Sequence, residues 1–122
     1  MCPSLLNIDY TQNEIKGFPM GYFDSCSKLE ILYLAGNQLK QHGLELEPMK
    51  ESLRYLDLSE NLIEDVKNIT DIKFSSMQVV NFGNNLIMEI DMEAVANWQA
   101  LRDIYIAENL LSYLPDPAEY NM

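Results

Sequence analysis

Residues able to do covalent chemistry are scarce in this chain. One histidine, His42, and two cysteines, Cys2 and Cys26, are present, and Cys-x-x-Cys, His-Glu-x-x-His and glycine-rich phosphate motifs are absent. Nucleophilic catalysis needs a nucleophile and a base within hydrogen-bond reach of each other. No pattern in the chain brings His42 to Cys26, and an enzyme is not expected. Carboxylates are abundant, with 19 Asp and Glu against 8 Lys and Arg and a formal net charge of −11. That balance argues against nucleic acid and anionic membranes, which call for clustered Lys and Arg. No Asp-x-Asp-x-Asp-Gly loop marks a calcium site, so neither a metal nor another cofactor is expected. The side chain with a positional signature is asparagine. Asn13, Asn37, Asn61, Asn85 and Asn109 stand 24 residues apart without an insertion.

Each asparagine closes the same apolar pattern. Eight, five and three residues earlier stand Leu5, Ile8 and Tyr10; Leu29, Leu32 and Leu34; Leu53, Leu56 and Leu58; Met77, Val80 and Phe82; Leu101, Ile104 and Ile106. Two residues later stand Ile15, Leu39, Ile63, Ile87 and Leu111. Apolar residues two apart face one side of an extended strand, and one such strand cannot bury that face alone. Stacking the copies in parallel buries it, with the rest of each repeat returning the chain to start the next strand. The asparagine sits where the chain leaves the strand, and its amide can serve backbone donors and acceptors that the turn leaves unpaired. Stacked, the five are expected to form a ladder.

This pattern resembles the leucine-rich repeat family, whose signature is L-x-x-L-x-L-x-x-N-x-L, and it recurs in register from about Cys2 to Leu114. The resemblance implies an α/β solenoid: a right-handed coil with a parallel sheet on its concave face and loops, 3₁₀ turns and short helices on its convex face. The expected organisation is a single domain, 1–122, of about five repeats, with strands near 5–10, 29–34, 53–58, 77–82 and 101–106. A repeat of 24 residues with Phe18-Pro19 and Phe23 at the start of its return segment looks most like ectodomain segments of Toll-like receptors and secreted invertebrate immune proteins. Leu114-Pro115 repeats that start. Cysteine-rich caps, usual in such receptors, are not recognisable. The chain therefore reads as a segment of a longer receptor, with self-association through an exposed end or a folded-back tail as alternatives.

The phenylalanine column is not sustained, since Phe23 is matched by Glu47, Asp71 and Val95. The convex layer is expected to be filled from Leu46, Met49, Ile69, Ile72 and Val95 instead. Residues 92–101, with Ala94, Val95, Trp98 and Leu101 at helical spacing, are the best candidate for α-helix. Cys2 and Cys26 occupy equivalent slots of consecutive coils, in a column continued by Lys50, Phe74 and Trp98. A disulfide needs Cα atoms within about 7 Å, which this placement allows without compelling. A buried thiol behaving as a small apolar residue is the reading favoured for Cys26. Asn68-Ile69-Thr70 is a glycosylation acceptor in a secreted chain, although alignment with Met20, Leu44 and Met92 turns Asn68 partly inward. The start, Met1-Cys2-Pro3-Ser4, lacks the features of a signal peptide. No apolar run approaches the roughly 18 residues of a membrane span, so membrane insertion is not expected.

Function is expected on the concave face. The outward side chains form three columns: Asp9, Tyr33, Asp57, Asn81, Tyr105; Asn7, Ile31, Tyr55, Val79, Asp103; and Leu6, Glu30, Arg54, Gln78, Arg102. Exposed Tyr and Arg beside apolar groups are the residue types that anchor interfaces. Ile31, Tyr33, Arg54, Tyr55, Asp57, Val79, Asn81, Arg102 and Tyr105 are accordingly the candidate ligand-binding residues. Asp9 and Asp57, two coils apart, read as fully solvated. A protein or microbial ligand with a basic, partly apolar patch would suit this surface. The resemblance implies an extracellular or cell-surface recognition protein of immune type. An intracellular adaptor in a cytoplasmic setting and a structural filler segment of a larger horseshoe are the alternatives.

Overall fold

The structure, a computed structural model, describes residues 2–112. Five strands, β1 (Asn7–Asp9), β2 (Ile31–Tyr33), β3 (Tyr55–Asp57), β4 (Val79–Asn81) and β5 (Asp103–Tyr105), form one parallel sheet in chain order. The register advances by 24 residues at every step: Ile8 lies beside Leu32, Leu32 beside Leu56, Leu56 beside Val80, and Val80 beside Ile104. Each strand is three residues long, shorter than the six-residue apolar windows around it. Inter-coil backbone bonds nevertheless continue past the strand ends, as in Leu34 N–H to Asp57 O at 2.8 Å and Gly36 N–H to Ser59 O at 3.1 Å. The twist and turn that follow break regular pairing before they break hydrogen bonding.

The middle residue of each strand points inward. Ile8, Leu32, Leu56 and Val80 are buried, joined by Leu29, Leu34, Leu53, Leu58, Met77 and Phe82 in one continuous core. Each buried aliphatic or aromatic side chain of this size contributes about 1.5–3 kcal/mol relative to exposure, so the repeated columns carry the stability of the stack.

The turn after each strand is equally regular. Gln12, Gly36, Glu60, Asn84 and Glu108, each one residue before a ladder asparagine, all have φ between +54° and +71°. Left-handed backbone is easy for glycine and costs other residues about 1–2 kcal/mol; here only Gly36 is glycine. Its missing Cβ serves a second purpose, because a Cβ there would lie 2.5 Å from Gln12 Nε2. Gln12 thus crosses above Gly36 to reach Glu60 Oε2, two coils away, at 3.5 Å.

The convex layer holds a 3₁₀ turn (Glu47–Met49) and two single-turn helices, α1 (Lys67–Thr70) and α2 (Met92–Val95). Leu46, Met49, Ile69, Ile72 and Val95 are all buried there, filling the space that the missing phenylalanines leave. The helix expected over 92–101 is only one turn long. Asp91 caps its start, accepting from the N–H groups of Glu93 and Ala94. It ends where Trp98 is drawn down onto the preceding coil, its Nε1–H donating to Ile72 O at 2.7 Å. Helical spacing of Val95, Trp98 and Leu101 reflects burial of successive turns, not continuous helix.

Cys2 and Cys26 form a disulfide, with Cα atoms 4.7 Å apart, and both residues are fully buried. The free thiol expected for Cys26 is therefore replaced by a covalent link between the first two coils. Successive coils approach to strand-like spacing at this slot. Beside the link, Phe18 packs against Tyr22 and Phe23 with centroids 4.9 Å apart in each case. Tyr10 and Tyr22 share a hydroxyl hydrogen bond of 2.8 Å. The Leu114-Pro115 pair lies outside the described residues.

Candidate functional site

The asparagine ladder positions the concave sheet. Asn61 Nδ2 donates to Leu58 O and Ser59 O of its own turn and to Leu34 O of the coil before, while its Oδ1 accepts from Leu39 N–H. Asn37, Asn85 and Asn109 repeat the arrangement with partners shifted by whole repeats. Among the described residues Asn13 bonds only to Tyr10 O and Thr11 O of its own turn, and it is exposed. One amide therefore both closes each turn and ties it to its neighbour, which fixes the angle at which the outward strand residues stand.

On the concave face the sequence-nominated residues fall into two groups. The first is a linked set across β2, β3 and β4. Arg54 Nη1 lies 3.5 Å from Glu30 Oε1, and its guanidinium carbon sits 5.7 Å from the centre of the Tyr55 ring. The Tyr55 hydroxyl in turn donates to Gln78 Oε1 at 3.2 Å. Ile31 and Val79, half-buried, flank Tyr55 in register on the adjacent strands. The second group is exposed at the ends of the strands. Tyr33 is 39% exposed and Tyr105 53%, and Arg102 and Asp103 are exposed as well.

Asp57 and Asn81 behave differently from the sequence expectation. Asp57 is half-buried, not fully solvated, and its Oδ1 accepts from Ser59 N–H at 3.0 Å and Ser59 Oγ–H at 2.6 Å. Asn81 Oδ1 accepts from Gly83 N–H at 2.8 Å. Asp9 remains exposed and accepts from Thr11 N–H at 3.0 Å; bonds from the Thr11 side chain and backbone hold its carboxyl below the usual value. These side chains close the turn that leads to the left-handed residue, a familiar use of Asp and Asn two positions before a backbone donor. A periodic Asp or Asn followed two residues later by Thr, Ser or Gly was the available signal. Tyr33 and Tyr105 make no such turn and are the exposed aromatic members of that column.

Asn68 is exposed within α1 and its Nδ2 donates to Gln41 O at 3.1 Å, so it is not turned inward as its register suggested. On the convex side a recess of about 590 Å³ is bordered by Val66, Lys67, Met92, Glu93 and Leu111. Two of its carboxylates, Asp65 and Asp91, accept from backbone N–H groups of Lys67, and of Glu93 and Ala94. Among the described residues no cluster of three or more His, Cys, Asp or Glu could hold a metal.

A leucine-rich repeat family model matches residues 52–73, the segment that contains β3 and its asparagine turn. The chain is 29% identical over 118 residues to human podocan-like protein 1, covering 95% of this chain and 22% of that protein. To bovine lumican it is 31% identical over 111 residues, covering 89% of this chain and 31% of lumican. Mouse vasorin is 29% identical over 113 residues, covering 93% and 17% respectively. The chain thus spans a third or less of the length of these curated relatives. In fold it superimposes on the leucine-rich repeat domain of APL1B with a TM-score of 0.62 at 18% identity, covering 93% of this chain and 36% of that one. An internalin (inlF) of Listeria monocytogenes gives a TM-score of 0.57 at 17% identity, covering 92% and 37%. The chain is a leucine-rich repeat solenoid in fold, and the family-model match and these relatives support the leucine-rich repeat family. Its relatives are secreted, extracellular-matrix or membrane leucine-rich repeat proteins.

Proposed function

We propose that the chain recognises a protein partner through its concave sheet, outside the cell, as part of a longer leucine-rich repeat protein. The observation that carries this is the pairing of a pre-set Glu30–Arg54–Tyr55–Gln78 network with exposed Tyr33 and Tyr105 on either side. Rigid aromatic and arginine side chains lose little freedom on binding and so yield affinity efficiently. Exposed carboxylates at Asp9 and Asp103 favour a partner with a basic, partly apolar patch. Burial of the Cys2–Cys26 disulfide supports an oxidising, extracellular setting over a cytoplasmic adaptor. In that setting Asn68 is a glycosylation acceptor whose amide can carry a sugar and keep one N–H. The immune-type receptor is the narrower form of this reading; relatives such as lumican and podocan support the broader extracellular form.

Photo-crosslinking residues installed singly at Tyr33, Tyr105 and, on the convex side, Met20 test the proposal. Adducts with a secreted partner should arise from the first two positions and not from Met20. Adducts confined to Met20 would refute it.

A further inference from the structure

The column one residue past the ladder asparagines runs Glu14, Gln38, Leu62, Leu86, Leu110. Its first two members are polar, as befits an outward position. The last three are leucines exposed by 41%, 39% and 58%, and Met88, two residues past Leu86, is 57% exposed. They do not belong to the core, because the residue between Leu86 and Met88, Ile87, is the one that turns inward and is fully buried. Nor do they belong to the concave sheet, since they follow the turn at its end. The stripe runs along the flank of the solenoid over its third, fourth and fifth coils.

This stripe is rigid. Leu62, Leu86 and Leu110 each donate a backbone N–H of 2.9 Å to the preceding coil, at Leu39 O, Ile63 O and Ile87 O. The leucines therefore repeat at about the inter-strand spacing of 4.7–4.9 Å, which places the outer two about 9.6 Å apart. Residues i and i+7 of an α-helix are separated by about 10.5 Å along its axis, with an i+3 or i+4 residue between them. An extended strand would advance about 13 Å over the two steps that carry three same-face side chains. A helix laid across the coils is in register with the stripe and a strand is not.

Charge selects the kind of helix. Glu60 and Glu108 precede the stripe by two residues and Glu64 follows it by two, all three exposed. The equivalent slot of Glu64 holds Lys16 and Lys40 on the first two coils, where the leucines are absent. The carboxylates thus flank the two ends of the stripe, Glu60 and Glu64 on the third coil and Glu108 on the fifth, while the fourth coil holds Asn84 and Met88 in those slots. A second copy of this chain, at −11, would bring like charge to that border.

We propose that the Leu62–Leu86–Leu110 flank is a second docking surface, distinct from the concave sheet, and that its occupant is a basic amphipathic helix of a partner protein. The interaction is a helix-against-groove type in which apolar residues at i, i+3 or i+4, and i+7 set the register and lysine or arginine on either side meets the carboxylates.

The test is fluorescence anisotropy of the 122-residue chain, disulfide intact, with a labelled Leu/Lys helical peptide of about eighteen residues, or five turns. Two further peptides serve as controls: the same composition scrambled to destroy the apolar face, and a Leu/Glu version. Leu62→Ser/Leu86→Ser/Leu110→Ser should weaken binding of the Leu/Lys helix roughly a hundredfold, about fivefold for each leucine removed. Leu86→Arg alone should weaken it by a charge as well as a packing loss, and gives an independent reading if the triple variant folds poorly. Met20→Ser, at an exposed apolar residue elsewhere, should leave binding unchanged. Equal binding of the scrambled or Leu/Glu peptide, or an unchanged affinity in the folded triple variant, would overturn the proposal. So would a dimer in sedimentation that the triple variant abolishes, since the occupant would then be a second copy.

Discussion

Cys2, Cys26, Lys50, Phe74 and Trp98 occupy one slot of five successive coils, and the two ends of that column are built differently. At the first two coils the slot is closed by a disulfide, with an aromatic cluster of Phe18, Tyr22 and Phe23 beside it. At the last two it is closed by packing: Phe74 meets Trp98 edge to face at 5.1 Å, and the indole N–H satisfies Ile72 O. Lys50, between them, points out and pairs with Glu47 at 3.3 Å. The slot demands only that its space be filled or its two sides joined. A small residue meets the demand by covalent linkage, a large one by contact area, and a long charged one leaves the filling to its neighbour Met49, which is fully buried.

The largest break in this comparison should come at the packed end. Trp98→Ala removes the ring contact and orphans Ile72 O, and should cost about 3–5 kcal/mol in equilibrium urea unfolding. A smaller loss would mean that the fifth coil collapses into the space. Removing the covalent end with Cys2→Ala/Cys26→Ala should cost about 3.5 kcal/mol, the value for a loop of this length. Amide exchange should place that loss in the first two coils and leave β4 protected. A central and a terminal asparagine sharpen the contrast further. Asn61→Ala leaves the buried Leu39 N–H without a partner and removes one of the two amide donors to Leu34 O, which keeps Asn37 Nδ2, and should cost about 2 kcal/mol. Asn13→Ala, at an exposed site with bonds only to its own turn, should lie within about 0.5 kcal/mol of the parent.

The smallest effect should be one of pH. The hydrogen bond with Tyr10, then partial burial, then the Tyr10 charge raise the Tyr22 phenol above its usual value near 10. A raised phenol pKa means the folded chain holds its proton longer than the unfolded chain. The stabilisation is therefore complete below about pH 10 and is lost as pH climbs through the raised value. Urea midpoints at about pH 9 and pH 11 should fall together for both ends of the column except for this term, and Tyr22→Phe should remove it. An alkaline loss that persists in Tyr22→Phe would assign it elsewhere.

The strands, their register and the ladder were legible because each rests on a residue type that one physical demand selects: aliphatics at Leu32 and Leu56 for the core, an amide at Asn61 that both donates and accepts. The disulfide was not, because sequence spacing states which coils Cys2 and Cys26 belong to but not how closely those coils approach on the convex side. Helical spacing over Val95, Trp98 and Leu101 misled for a related reason, since return segments that bury every third or fourth residue need not be helical. On the concave face, the column of Tyr33, Asp57, Asn81 and Tyr105 looked uniform. Only the hydrogen bonds to Ser59 and Gly83 separate turn-closing members from free ones. The leucines at 62, 86 and 110 escaped notice because they fall on a position that the repeat leaves unspecified.

Every ladder asparagine from Asn37 to Asn109 takes its inter-coil acceptor 27 residues back and its donor 22 residues back. Those constant offsets set a grain to the chain's tolerance for changes in length. Losing one residue between two turns displaces both partners at once and turns the next strand's apolar face outward. Losing 24 consecutive interior residues deletes one coil and returns every remaining amide to a carbonyl and an N–H at the same offsets. The larger deletion is the milder lesion, and the same arithmetic lets whole coils be gained without redesign of their neighbours.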